Sequence, residues 1–180
     1  MADPRHPYVK TTENKEGTDI VFVFDISKSM LAEDLSPNRL EAAKRVLANF
    51  VAKRDGDRFG LVIFAGKPFL LSPLTSDAEA FTAILSKVTT DSIRQEIPGL
   101  SGTNIGEGLL LASESLSGTT GDKNVVLVTD GEANVGIDPK PVAKLMSERK
   151  VKIHSIGIGD PKGIDLYVTD KTSGQKTYFL

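Results

Sequence analysis

Short apolar runs alternate with stretches of helical periodicity along this 180-residue chain. That alternation predicts an α/β fold: a doubly wound, mostly parallel sheet with one antiparallel edge strand, helices on both faces and right-handed crossovers. A second observation is that the runs 20–24 (IVFVF), 59–64 (FGLVIF) and 125–128 (VVLV) are continuous rather than alternating, as expected of strands covered on both faces. A third is that two of these runs end in an acid, Asp25 after the first and Asp130 after the last. Open α/β sheets bind ligands beyond the carboxyl ends of their strands, where the strand order reverses.

The elements follow in order. Residues 1–17 are polar and hold Pro4 and Pro7, so they read as a flexible lead-in to a domain spanning 18–180. After the first strand, Ser36-Pro37 has the form of an N-cap followed by proline at the first helical position, and Leu40, Ala43, Leu47, Phe50 and Val51 supply one helix face. A turn at 54–57 leads into the second strand, and Phe69-Leu70-Leu71 is placed to pair back on it as an antiparallel edge. Ser76 with Glu79 predicts a capping box for a second helix carrying Phe81, Ile84, Leu85 and Val88. From Thr89 to Gly102 periodicity stops, which predicts a long functional or mobile loop. A third helix starts at Thr103-Asn104 and shows Ile105, Leu109, Ala112 and Leu116 on one face. Asp138-Pro139 repeats the cap-then-proline signal for a fourth helix with Val142, Leu145 and Met146. Residues 151–158 read as a last core strand, and 164–168 with 176–180 as a hairpin.

Composition bounds the function. With 39% hydrophobic and 26% charged residues the chain reads as an ordinary soluble globular domain, and its formal charge of -2 argues against a nucleic acid or an anionic membrane surface as partner. The absence of cysteine removes disulfides, thiolate metal sites and thiol nucleophiles together. No apolar run approaches the roughly 20 residues that span a bilayer.

Asp25, Ser27 and Ser29 occupy alternate positions, so on an extended chain their side chains point the same way just past the strand end. Adding Asp130 and a threonine gives an all-oxygen donor set. Such a set suits a hard dication, Mg²⁺ first with Mn²⁺ or Ca²⁺ as substitutes, rather than zinc or copper. Two carboxylates balance the ion's charge, and neutral hydroxyls leave it able to take a further carboxylate from another molecule.

Asp25-x-Ser27-x-Ser29, Thr103 at a helix head and Thr129-Asp130-Gly131 together resemble the metal-ion-dependent adhesion site of von Willebrand factor A domains. The resemblance runs from about Thr18 to Gly159, and segments 32–40, 59–66 and 73–77 are similar to the bacterial Bat-type, aerotolerance branch. It implies that Ser27 and Ser29 bind the metal directly, Thr103 directly or through water, and Asp25 and Asp130 mostly through water or as anchors. Thr75 is the weaker candidate for the threonine role. The resemblance also implies a membrane-anchored parent protein in the bacterial inner membrane, this domain periplasmic. Further implied are other Bat-type proteins and a MoxR-type AAA+ ATPase as partners, and a final helix beyond Leu180 that covers the sheet.

Enzymes are the rival class. A phosphatase forming an aspartyl-phosphate needs a second carboxylate two residues after the nucleophile, where Ser27 stands. The chain lacks the Gly-x-x-x-x-Gly-Lys-Ser/Thr of a P-loop and the Gly-x-Ser-x-Gly of a hydrolase elbow. Of its two histidines, His6 lies in the lead-in and His154 in a strand, where a hydrogen-bonded structural role is expected. The expected function is therefore cation-dependent protein binding without catalysis; a scaffold binding its partners without metal is the alternative. Lys28, Arg94, Glu96, Glu132 and Asn134 are candidate rim contacts.

Overall fold

The computed structural model describes residues 17–131, 133–159, 167–169 and 176–178. Five strands form the main sheet: β1 (Asp19–Asp25), β2 (Arg58–Phe64), β3 (Pro68–Thr75), β4 (Lys123–Thr129) and β5 (Val151–Gly157), in the order β3-β2-β1-β4-β5. β1 pairs in parallel with both β2 and β4, β4 with β5, and β3 alone runs antiparallel. The chain leaves β1 toward one edge and returns across it to β4, so β1 lies where the strand order reverses. The carboxyl ends carrying Asp25 and Asp130 are thereby neighbours, as the sequence predicts. A separate two-stranded ribbon joins β6 (Tyr167–Thr169) and β7 (Lys176–Tyr178). The lead-in through residue 16 lies outside the described residues.

Among the described residues four α-helices cover the sheet: α1 (Arg39–Val51), α2 (Ala78–Ser86), α3 (Ile105–Ser115) and α4 (Pro139–Glu148). Alternate residues of β1 serve opposite faces. Ile20, Phe22 and Phe24 join Leu47, Phe59 and Phe81 on the α1/α2 side, while Val21 and Val23 join Val62, Leu109 and Met146 on the α3/α4 side. Phe22 is the hub of the first layer, with ring centroids 5.9 Å from Phe50, 6.3 Å from Phe59 and 5.5 Å from Phe81. On the other face α3 lies close against the sheet, because a Cβ on Gly108 would stand 3.0 Å from Val23 Cγ1. At the far end of the sheet from the acidic residues, buried Asp19 takes a forked ion pair from Arg58 at 2.7 Å on both oxygens.

Several local expectations are corrected. α1 is capped by Asn38, which accepts from the Glu41 N–H, not by Ser36; α2 is capped by Asp77, which accepts from Ala80 N–H, not by a Ser76 box. Each true cap lies one or two residues further on in the chain. The Asp138 cap is as expected, accepting from Lys140 N–H. β5 is an edge strand and not a core one: of its residues only Val151 is fully buried, since no further element among the described residues covers that edge. The 89–102 segment, largely exposed, is pinned at a few buried residues. Ile93 and Gln95 are buried, and the Gln95 amide donates to the carbonyls of Ile26 and Thr90, each at 2.9 Å. Among the described residues no helix is long and apolar enough to cross a membrane.

Candidate metal centre

β1 delivers Asp25 into a fully buried position at its last residue. There the Ser27 backbone N–H donates to Asp25 Oδ1 at 2.9 Å, and Thr129 Oγ1, at the end of β4, donates to Oδ2 at 2.6 Å. The Gly131 N–H in turn donates to Thr129 Oγ1 at 3.1 Å. Both Asp25 oxygens are thus held, one by its own turn and one by the neighbouring strand. Burial pushes the Asp25 carboxyl up to about 6, against its hydrogen bonds from Thr129 and Ser27 and with a small contribution from Asp130. A carboxyl so placed gains from a nearby cation.

After Asp25 the chain tightens into a single 3₁₀ turn, Lys28–Leu31, anchored by buried Met30. This turn brings the Ser27 and Ser29 hydroxyls to 3.0 Å from each other. Gln95 braces the same turn from outside through the Ile26 carbonyl. Thr103 is buried and held through its backbone: its N–H donates to Asn134 Oδ1 at 2.8 Å, and its carbonyl accepts from Asn134 N–H at 3.2 Å. The next residue, Asn104, donates from its backbone N–H to Ala65 O at 2.8 Å and caps α3 by accepting from Glu107 N–H. The head of α3 is therefore docked on the carboxyl end of β2, one strand away from Asp25. Thr75 is removed from contention, because it pairs with Phe59 at the opposite end of β2 and accepts from Asp77 N–H.

Asp130 is the most telling member. Its side chain is 4% exposed; Oδ2 accepts from Arg39 Nη1 at 3.1 Å, and buried Oδ1 has no hydrogen-bond partner among the described residues. A buried carboxylate oxygen without a donor is costly unless another group completes it. Among the described residues no three His, Cys, Asp or Glu side chains converge. A cation here would have to be held by hydroxyls with only two acids nearby, which the five-residue oxygen set provides. The residues present fit a hard dication on that ground.

The structure thus joins Asp25, Ser27 and Ser29 directly, ties Asp130 to them through Thr129, and sets Thr103 at the same end of the sheet. Arg39, Gln95 and the donor role of Thr129 escaped the sequence reading. Asn134, expected as a rim contact, braces Thr103 instead. Lys28, Arg94 and Glu96 are exposed, and Glu132 lies outside the described residues. His154 is exposed on β5, its Nε2 3.2 Å from Asn124 Oδ1, and takes no part.

The von Willebrand factor type A domain family matches residues 19–179. An uncharacterized protein of Borreliella burgdorferi is 35% identical over 162 residues, a match covering 88% of this chain and 46% of that protein, so the chain spans about half the length of this relative. The crystal structure of BatB from Bacteroides thetaiotaomicron superposes with a TM-score of 0.80 at 30% identity, covering 89% of this chain and 75% of that one. An aerotolerance-related membrane protein from Bacteroides fragilis gives 0.77 at 29% identity, covering 91% and 81%. Proximal thread matrix protein 1 from the mussel byssus, solved with a zinc-occupied adhesion-site motif, gives 0.65 at 25% identity, covering 78% of this chain and 38% of that one.

Proposed function

The chain belongs to the von Willebrand factor type A domain family, and from that membership we propose that it is a divalent-cation-dependent protein-binding module whose site captures an Asp or Glu of a partner. The observation that carries this reading is the buried Asp130 Oδ1, without a hydrogen-bond partner among the described residues, beside a fully braced Asp25. A bound dication, Mg²⁺ first and Mn²⁺, Ca²⁺ or Zn²⁺ as alternatives, would supply positive charge and an open coordination position for an incoming carboxylate. Ser27, Ser29 and Thr103 offer it hydroxyl oxygens, and Asp25 and Asp130 balance its charge from buried positions.

The role is binding and not catalysis. Among the described residues the one histidine, His154, lies exposed on β5, its Nε2 3.2 Å from Asn124 Oδ1, and is not at the site. The likeness to BatB and to an aerotolerance-related membrane protein supports a Bat-type parent anchored in the bacterial inner membrane, with this domain in the periplasm. Other Bat-type proteins and a MoxR-type AAA+ ATPase system are the partners to try first. Capture of such a partner should occur in Mg²⁺ and be released by chelator; equal capture in excess chelator contradicts the reading.

A further inference from the structure

Arg39 is buried at the first position of α1, yet it serves neither the helix nor the core. Its guanidinium is shared between two acids. Nε and Nη2 donate to Asp34 Oδ1 and Oδ2 at 2.9 and 3.0 Å, and Nη1 donates to Asp130 Oδ2 at 3.1 Å. The chain just after β5 comes close over it, since a Cβ on Gly159 would stand 3.0 Å from Arg39 Nη2. Asp34 lies in the segment between the 3₁₀ turn and α1, so one fork connects the turn that carries Ser27 and Ser29 with the β4 loop that carries Asp130.

We propose that Arg39, oriented by Asp34, is the positioning residue of the cation site: it fixes Asp130 by one oxygen so that the other faces the site. This rests on the metal reading above. Three features carry it. The guanidinium is planar and presents its donors in a rigid fork, so a bidentate grip on Asp34 determines where Nη1 points. The Asp34 pair already balances the arginine's charge, so the pair adds little net positive charge to repel a cation, and its effect on the site is geometric. Finally, the Asp130 oxygen left without a hydrogen-bond partner among the described residues is the one that Arg39 does not hold. Groups that orient a metal-binding carboxylate typically change metal affinity by about 10- to 100-fold when removed.

The test is calorimetric titration of the chelator-stripped chain with Mg²⁺, comparing wild type, Arg39→Met and Arg39→Lys, each with its melting temperature in EDTA. Affinity is expected to fall by about 10- to 100-fold in Arg39→Met. Arg39→Lys keeps the charge but cannot grip Asp34 and Asp130 together, and is expected to lie between the two. A merely structural arginine would lower the EDTA melting temperature and leave the affinity of the folded protein alone. If Arg39→Met does not fold, Arg39→Lys carries the test through a several-fold loss. Wild-type affinity in the folded variants overturns the positioning role and leaves the metal site standing. Failure of wild type itself to bind Mg²⁺, or Mn²⁺, Ca²⁺ and Zn²⁺ titrated in its place, removes the metal reading and this role with it.

Discussion

Thr129 and Asp25, 104 residues apart in the chain, share a 2.6 Å hydrogen bond in which the threonine hydroxyl donates to a buried carboxylate oxygen. The bond is possible because β1 and β4 are parallel neighbours that end together at the point where the strand order reverses. It joins the two acidic segments of the site, since Thr129 immediately precedes Asp130. Replacing Thr129 by valine keeps the shape and removes the donor. The expected loss is about 1–3 kcal/mol of stability by chemical denaturation, together with weaker Mg²⁺ binding.

The pH dependence follows from Asp25, whose carboxyl is pushed from 3.8 up to about 6 by burial. The folded, metal-free chain then holds this proton more tightly than the unfolded chain does. Its contribution to stability is full below 3.8 and is lost as pH rises through about 6. Melting temperatures in EDTA should therefore fall across that interval, and Asp25→Asn should flatten the fall. Cation affinity should move the other way, rising as the proton leaves. A wild type and an Asp25→Asn variant with parallel pH profiles would contradict the assignment.

Gln95 holds two carbonyls of different segments, those of Ile26 and Thr90. In Gln95→Ala both are left without that donor in a buried setting, at a cost of about 1–3 kcal/mol. Amide hydrogen exchange should accelerate over residues 89–102 and at the turn after β1, while the α3/α4 layer stays protected. Unchanged exchange in the segment would show that the glutamine does not hold it.

Phe22 separates fold from site. Its ring meets Phe50, Phe59 and Phe81 within one layer, so Phe22→Ala should cost about 3–5 kcal/mol. Cation affinity measured below the melting transition should match wild type, because the ring lies on β1 three residues before Asp25 and faces the core.

How much of this could be read in advance differs by element. The continuous runs in β1, β2 and β4 identified buried parallel strands, because a strand covered on both faces has no polar side to show. The edge status of β5 could not be read that way: Val151, Ile153 and Ile156 look the same whether or not another layer covers them. The helix caps were misplaced because Ser36 and Asn38, or Ser76 and Asp77, are all capping residues, and only packing selects between them. The neighbouring strand ends that carry Asp25 and Asp130 were legible from the apolar runs before them, whereas the closeness of Ser27 and Ser29 comes from the 3₁₀ turn Lys28–Leu31 and not from the extended alternation expected of them. Arg39 and Gln95 were not legible, since the partners that tie them to the site, Asp130 and Ile26, lie 91 and 69 residues away and neither residue belongs to a local pattern.

The central claim is that the oxygen set around Asp25 and Asp130 binds a dication. Isothermal titration of the chelator-stripped chain with Mg²⁺ and Mn²⁺, run beside Asp130→Ala, tests it without any partner. Saturable binding by wild type and its loss in the folded variant is the predicted result. At 100 times the dissociation constant it should be accompanied by stabilisation of about 2.7 kcal/mol. Absence of binding by wild type, or equal binding by Asp130→Ala, would contradict the account.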